Sequence, residues 1–205
     1  MNVRRKIGFA LLLCTVLALT ACGSNTPKDG GNPSASPSAA VRPTAKIGEI
    51  EVVPSETPLG SLLDKGFSAE VQLGTAEEGS ADWKTTPVSS GMTLTENTIY
   101  RNIYLMKDGV KQARVDVSTG EACPLYDAVI SAVYLDLSAT PTAEMTFGGV
   151  GLNELTQQTF AGLFDGPVAL DGTAAATYLG EAFEVDAQWN TSGELTKLCA
   201  MEIKQ

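Results

Sequence analysis

The dipeptide Asp108-Gly109 lies between two stretches rich in β-branched and aromatic residues, and it is the feature that most constrains the fold. The first stretch is 98–107 and the second is 110–117. Asp-Gly is among the residue pairs best suited to the positive φ angles of a tight hairpin turn. The sequence therefore predicts a long β-hairpin and, with it, an antiparallel sheet.

Alternation of apolar and polar residues predicts further strands along the chain. The stretch 182–189 places Trp189 on an apolar face and Glu184 and Asp186 on a wet face. In the last strand Leu195, Lys197, Cys199, Met201 and Ile203 share one face, which we expect to be the apolar one. Other strands are predicted at 47–53, 69–73, 127–137, 143–147 and 173–179.

Two short helices are predicted between these strands. Thr57 suits an N-cap, Pro58 the first helical position and Gly66 the stop, which predicts about two turns. A second helix is predicted over 152–164, because apolar residues recur there at helical spacing and Asp165-Gly166-Pro167 follows.

These elements predict an α+β fold, with antiparallel sheets and two short helices. The pattern is compatible with two tandem helix-plus-antiparallel-sheet units, at 47–137 and 138–205. The basis is a shared spacing, in which Leu59, Leu62 and Phe67 correspond to Leu152, Leu155 and Phe160.

Features of the second half carry a family resemblance. They are Gly-Val-Gly-Leu at 149–152, Phe-Asp-Gly-Pro at 164–167, Tyr178 and the predicted hairpin that ends at Ile203. Together they resemble the superfamily of β-lactamase-inhibitor-protein-like and outer-membrane-assembly lipoproteins. This resemblance implies protein binding, without catalysis.

The N-terminus has the organisation of an export signal. Arg4, Arg5 and Lys6 precede an apolar stretch at 7–21, which as a helix would be about 22 Å long. A bilayer core is roughly 30 Å thick, so this stretch is predicted to be a signal peptide rather than a stable span.

Leu19-Thr20-Ala21-Cys22 ends this stretch and resembles the lipobox of bacterial lipoproteins. The resemblance implies that residues 1–21 are removed and that Cys22 is acylated, as in palmitate-carrying lipoproteins. The protein would then be anchored at the extracytoplasmic face of the bacterial cell membrane. The alternative is an ordinary secretory signal in which Cys22 is incidental. Residues 22–46 are rich in Gly, Ser and Pro and predict a disordered linker.

Charge and composition exclude several classes of function. The chain has 14 basic and 24 acidic residues, a net charge of −10, so it lacks the basic footprint of a nucleic-acid-binding protein. It contains no histidine, which removes His-dependent triads and histidine metal sites. We predict no cofactor and no metal.

Two cysteines remain after the lipobox, Cys123 and Cys199. Outside the cytoplasm such a pair forms a disulfide in many proteins, and the alternative is two reduced thiols. The sequence leaves both states open.

Candidate site residues are few. Glu184 and Asp186 could act as a pair of catalytic carboxylates, although acids at this spacing on a strand are more typical of a solvated sheet face. Trp83, within the polar stretch 74–90, is a candidate partner contact, and the alternative is that it caps the core.

The sequence thus favours a membrane-anchored lipoprotein whose exported part is a non-catalytic binding or scaffold module for a protein or glycan. One alternative is a glycan hydrolase that uses Glu184 and Asp186. Another is the solute-binding component of a transporter, which is disfavoured because about 160 residues are few for two lobes with a cleft.

Overall fold

A computed structural model describes residues 42–137 and 144–203. In these residues the fold is mainly β, with antiparallel sheets and two short α-helices, α1 (Gly60–Leu63) and α2 (Gln157–Ala161). The predicted α+β class is therefore corrected, because the helices span only four and five residues. In chain order the strands are β1 (Ala45–Ile47), β2 (Ile50–Val52), β3 (Ser68–Leu73), β4 (Lys84–Pro87), β5 (Thr93–Leu94), β6 (Thr98–Lys107), β7 (Val110–Thr119), β8 (Cys123–Pro124), β9 (Val129–Asp136), β10 (Met145–Phe147), β11 (Val150–Gly151), β12 (Val168–Asp171), β13 (Ala175–Leu179), β14 (Phe183–Trp189) and β15 (Leu195–Glu202).

Nine of these strands form one antiparallel sheet in the order β12-β13-β14-β15-β9-β7-β6-β3-β4. A four-stranded sheet has the order β11-β10-β1-β2, and β5 pairs with β8. Both helices and the four-stranded sheet contribute to one hydrophobic core with one face of the nine-stranded sheet. Its fully buried side chains include Ile47, Leu59, Leu62, Val115, Val133, Phe147, Phe160, Val185 and Leu198. We call the opposite face of the nine-stranded sheet the open face.

The structure confirms the predicted hairpin between β6 and β7. Asp108 and Gly109 have φ angles of 52° and 75°, the left-handed backbone that the turn requires. The alternation of β14 is also confirmed, since Val185, Ala187 and Trp189 are buried. The indole nitrogen of Trp189 donates to the carbonyl oxygen of Leu155 at 2.7 Å, which places this tryptophan in the core.

Two predicted elements are shorter than the sequence suggested. The strand at 47–53 is a hairpin of β1 and β2, because Gly48 turns the chain with a φ of 62°. The helix at 152–164 is reduced to a 3₁₀ turn at Leu152–Glu154 followed by α2. The backbone of Leu155 leaves the helical region, and Thr156 caps α2 by accepting from the amide of Thr159.

The predicted cap at Thr57 is wrong, because the Thr57 hydroxyl accepts from the amide of Val53 and α1 begins after Leu59. The short edge strands β4 and β12 were not predicted. Both are only four residues long, so each has little room for a periodic pattern.

The predicted core face of β15 is also wrong. Gln188 pairs with Lys197 while Trp189 pairs with Leu195, so Thr196 is an extra residue in β15. Such a bulge reverses the faces of the residues that follow it. Leu195, Leu198 and Ala200 are therefore buried, whereas Lys197, Cys199 and Met201 lie on the open face.

The two predicted units share both large sheets. Strand β1 pairs with β10, and β9 pairs with β15, so the strands of 47–137 and 138–205 adjoin within each of these sheets and belong to one compact unit. Strand β1 also begins at Ala45, two residues inside the predicted linker. Cys22, the signal peptide and the linker up to residue 41 lie outside the described residues.

The two halves match in topology. Strands β3-β6-β7-β9 and β12-β13-β14-β15 are two meanders that meet at the β9–β15 pair. The hairpins Ala45–Val52 and Met145–Leu152 correspond position by position, and Gly48 and Gly148 have φ angles of 62° and 57°. The spacing on which the sequence argument relied does not align the halves, because Leu62 lies in α1 whereas Leu155 precedes α2.

Candidate functional site

One line of directly paired residues crosses the open face from β13 to β3. Each member lies opposite the next in the register of the nine-stranded sheet. In spatial order the line contains Thr177, Asp186, Cys199, Tyr134, Arg114, Tyr104 and Glu70. Polar and aromatic side chains thus form a continuous band across seven strands, which we call the central row.

The alternation of each strand places these side chains on the open face. Arg114 lies between Ala113 and Val115, which are both fully buried. Tyr134 likewise lies between Val133 and Leu135 in β9. Because side chains alternate along a strand, the residues between core positions must point to the other face.

A cleft of about 350 Å³ lies over the centre of this row. Its lining contains as many basic as acidic side chains, whereas the chain as a whole has an excess of acidic residues. The lining residues are Glu78, Lys111, Arg114, Tyr134, Leu135, Asp136, Asp186, Gln188, Lys197, Leu198, Cys199 and Met201.

Arg114 and Tyr134 form the centre of the cleft. The guanidinium carbon of Arg114 lies 4.1 Å from the centroid of the Tyr134 ring, and its Nη1 donates to Asn102 Oδ1 at 3.2 Å. The Tyr134 hydroxyl donates to Asp116 Oδ2 at 3.3 Å. The backbone amide of Asn102 donates to the other oxygen of the same carboxylate, Asp116 Oδ1, at 3.0 Å. These contacts hold the Arg114 guanidinium over the Tyr134 ring, and the hydrogen bonds to Asn102 and Asp116 fix the orientation of the two side chains.

Burial controls the protonation of two groups in the row. It raises the pKa of the Cys199 thiol to about 12, with a further contribution from the Asp186 carboxylate. Burial also raises the pKa of Tyr134 to about 12, and Asp116 adds to this effect. Both groups are therefore protonated and uncharged near neutral pH.

Residues 74–83, which we call the strap, connect β3 to β4 and contribute Glu78 to one wall of the cleft. Gln72 Nε2 donates to the carbonyl oxygen of Ala76 at 2.6 Å, and Glu78 makes an ion pair with Lys111 of β7. The Trp83 ring packs edge-on against Tyr104, with centroids 5.3 Å apart. The strap therefore passes over β6 on the open face.

The structure places Trp83, the candidate partner contact, at the end of the strap and half-buried. It neither caps the main core nor projects fully into solvent, since its ring lies on Tyr104 at the open face. Its Nε1 is shielded from solvent and has no hydrogen-bond partner among the described residues.

The candidate carboxylates lie on the open face, as the alternation of β14 predicts. Asp186 lines the cleft and accepts a hydrogen bond from Thr177 Oγ1 at 2.6 Å. Glu184 lies one row away, paired with Met201, and does not line the cleft.

Cys123 and Cys199 are both free cysteines in this structure. Cys123 lies in the two-stranded sheet and its thiol donates to Thr119 Oγ1 at 3.3 Å. Cys199 lies in the central row of the nine-stranded sheet. The disulfide considered from the sequence is not present.

Sequence reasoning missed Lys111, Arg114 and Tyr134. The polar residues that alternate with Ala113, Val115 and Val117 do indicate that β7 has one wet face. The sequence contains no signal that places β7 beside β9, because that adjacency depends on the meeting of the two meanders.

Within the residues that the structure describes, acidic and cysteine side chains nowhere gather in the groups of three or more that could hold a metal ion. The described helices are also too short to cross a membrane. Comparisons with protein-family models, with curated proteins and with solved structures found no match.

Proposed function

We propose that this protein is an exported, membrane-anchored bacterial lipoprotein whose domain is a non-catalytic binding module, with the open face as its contact surface. The observation that carries this proposal is the cleft on the central row, with the strap as one wall. Its volume of about 350 Å³ is within the range of ligand-binding clefts, roughly 300–1,000 Å³.

The lining of the cleft supports binding of a partner group. Arginine and tyrosine are enriched at interfaces because each offers a large, rigid contact area together with hydrogen-bonding groups. In this cleft Arg114 and Tyr134 are stacked, and their neighbours hold them in place. A partner would meet a preorganised surface, which lowers the entropic cost of binding.

We infer further that the domain is built from two tandem units. The matching hairpins with glycine turns at Gly48 and Gly148 support this, as do the two meanders that meet at β9 and β15. The arrangement is compatible with the resemblance of the second half to the inhibitor-like and assembly-lipoprotein superfamily.

The anchor is tested by the substitution Cys22→Ser in the native host. We expect the wild-type protein to fractionate with membranes and to incorporate labelled palmitate, and the variant to do neither. A variant that still incorporates palmitate would contradict acylation at Cys22.

The binding surface is tested by chemical cross-linking of the anchored protein, followed by identification of what it captures. The test variant is Arg114→Gln, and the matched control is Arg42→Gln, because Arg42 is exposed and pairs with Glu56 away from the cleft. We expect a specific protein or glycan to be captured by the wild type and the control, and lost from Arg114→Gln. Equal capture by both variants would contradict a site on the open face.

A hydrolase remains the second candidate function, favoured by the position of Asp186 in the cleft and of Glu184 on the same face. The double substitution Glu184→Gln with Asp186→Asn separates the two functions. A hydrolase would lose turnover of wall glycan in this variant, whereas a binding module shows no turnover with or without the two carboxylates. Turnover by the wild type would overturn the non-catalytic proposal.

A further inference from the structure

The strap is present in only one half of the molecule. In the first half residues 74–97 separate β3 from β6, whereas in the second half residues 172–174 alone separate β12 from β13. Because these strands occupy equivalent places in the two meanders, the strap has no counterpart in the second half, and it contacts β6 and β7 of the first half. Glu78, in the middle of the strap, lines the cleft.

The Glu78 carboxylate occupies a site that suits an anion. It pairs with Lys111, whose side chain is only 11% exposed, while that of Glu78 is 33% exposed. A shielded ammonium group without a counterion is unfavourable, because it has lost most of its hydration. The ammonium group of Lys111 thus marks a place in the cleft that stabilises a carboxylate or an equivalent anion, and Arg114 of the same strand also lines the cleft.

The contacts that hold the strap in position involve Gln72, Tyr104 and Lys111. Besides the ion pair, the strap is held by the Trp83–Tyr104 contact, by Gln72 and by an interaction of the Glu78 side chain with that of Tyr104. Gly74 and Gly79 flank Glu78 with φ angles of 74° and 82°. A Cβ atom at either glycine would meet nothing within 4 Å, so these residues serve backbone conformation and not packing.

In the position that the structure shows, which we call closed, the strap also leaves the shielded Trp83 Nε1 without an acceptor among the described residues. A buried donor without a partner opposes the arrangement that buries it. A competing ligand could therefore displace the strap from this position at a modest cost in free energy.

We propose that the cleft binds a ligand through a carboxylate group, and that Glu78 is a built-in competitor for that group. The ligand carboxylate would replace Glu78 on Lys111, beside Arg114, as the strap opens. This inference rests on the proposed binding function and specifies its ligand chemistry. The carboxylate could belong to a small acid or to an acidic peptide segment, and the test below distinguishes them.

The experiment measures binding by titration calorimetry with the full chain in detergent. The probes are glutarate and a tetraglutamate peptide with acetylated and amidated ends. The uncharged controls are glutaramide and tetraglutamine with the same blocked ends, because a free C-terminus would itself supply a carboxylate. The variants are Glu78→Gln, Lys111→Met and the matched control Glu77→Gln, which removes a neighbouring strap carboxylate that does not line the cleft. Circular dichroism verifies that each variant is folded.

We expect Glu78→Gln to bind a carboxylate probe at least tenfold more tightly than the wild type, because the internal competitor is gone. Glu77→Gln should bind as the wild type does, and Lys111→Met should lose binding. Hydrogen exchange of the strap amides should be faster in Glu78→Gln than in Glu77→Gln. This second measurement needs no ligand.

Binding of both probes would show that the carboxylate group suffices, and binding of tetraglutamate alone would identify a peptide ligand. Equal affinity of Glu78→Gln and the wild type, or no binding of either probe, would overturn the inference. If carboxylates do not bind but Arg114→Gln still loses the cross-linked partner, the inference fails while the proposed function stands.

Discussion

At the scale of single residues, the centre of the open face combines charged and uncharged forms of titratable groups. Arg114 is charged and lies on the Tyr134 ring, while Cys199 and Tyr134 keep their protons because burial disfavours their anions. Arg114 is thus the one basic side chain of the row, and it lies on a tyrosine that stays neutral. The charges of these three side chains therefore stay constant near neutral pH.

These protonation states predict how stability depends on alkaline pH. Cys199 and Tyr134 have a pKa of about 12 in the folded protein, against 9.0 and 10.0 for the unperturbed groups. The unfolded chain therefore loses these protons first as the pH rises. Their stabilising contribution is complete below about pH 9 and is lost as the pH rises through about 12.

We expect the free energy of unfolding to fall between pH 9 and pH 11 in urea titrations. Cys199→Ala and Tyr134→Phe should each make this fall shallower, since each removes one titrating group. A slope that is identical in the wild type and both variants would contradict the assigned pKa values.

The same burial predicts slow alkylation of Cys199. A pKa of about 12 in place of 9.0 reduces the thiolate fraction at pH 8 by about 1,000-fold. An exposed cysteine introduced as Ser192→Cys is the reference, and mass spectrometry after iodoacetamide treatment compares the two sites. Alkylation of Cys199 at a rate similar to the reference site would show that its thiol is not buried as described.

At the scale of elements, single residues decide where strands turn and which face they bury. Gly48 and Gly148 occupy equivalent hairpin turns, both with positive φ angles. The extra residue Thr196 reverses the faces of β15 and moves Cys199 to the open face. Local backbone events of this kind therefore determine which side chains reach the candidate site.

The two turn glycines give a matched pair of substitutions. Gly48→Ala should cost about 1–2 kcal/mol, the usual penalty of left-handed backbone for a residue with a side chain. Gly148→Ala should cost more, because its new Cβ would lie 3.0 Å from Leu163 Cδ1, whereas nothing lies within 4 Å at Gly48. Urea unfolding measures both, and an equal loss of stability would contradict the close packing of Leu163 on the second turn.

Elements with strong local signals could be predicted from the sequence, and elements set by distant pairing could not. The β6–β7 hairpin follows from Asp108-Gly109, and the core position of Trp189 follows from the alternation of β14. The bulge at Thr196 and the break at Leu155 depend on pairing and packing with other parts of the chain. The candidate site was missed for the same reason, because Arg114 and Tyr134 become neighbours only through the sheet order.

At the scale of the whole molecule, the two halves depend on each other. Strand β1 of the first half pairs with β10 of the second, and β9 pairs with β15 at the centre of the large sheet. Separation would expose four unpaired strand edges, two in each half, and would divide one hydrophobic core. Both halves therefore belong to one compact unit.

We expect neither 42–137 nor 138–205 to fold when expressed alone, and we expect residues 42–205 to unfold in a single transition. Circular dichroism and calorimetry test both statements. Two separate transitions in 42–205, or a cooperative transition in either half alone, would contradict the shared core.

We have proposed that the open face is the contact surface of an anchored binding module. A photoreactive amino acid at Lys197 in the cleft lining, compared with one at Lys46, tests this claim. Both lysines are exposed on strands, but Lys46 belongs to the four-stranded sheet. We predict that, in cells, a specific partner cross-links from position 197 and not from position 46. Cross-linking of the same partner from position 46 alone, or equally from both positions, would contradict the claim.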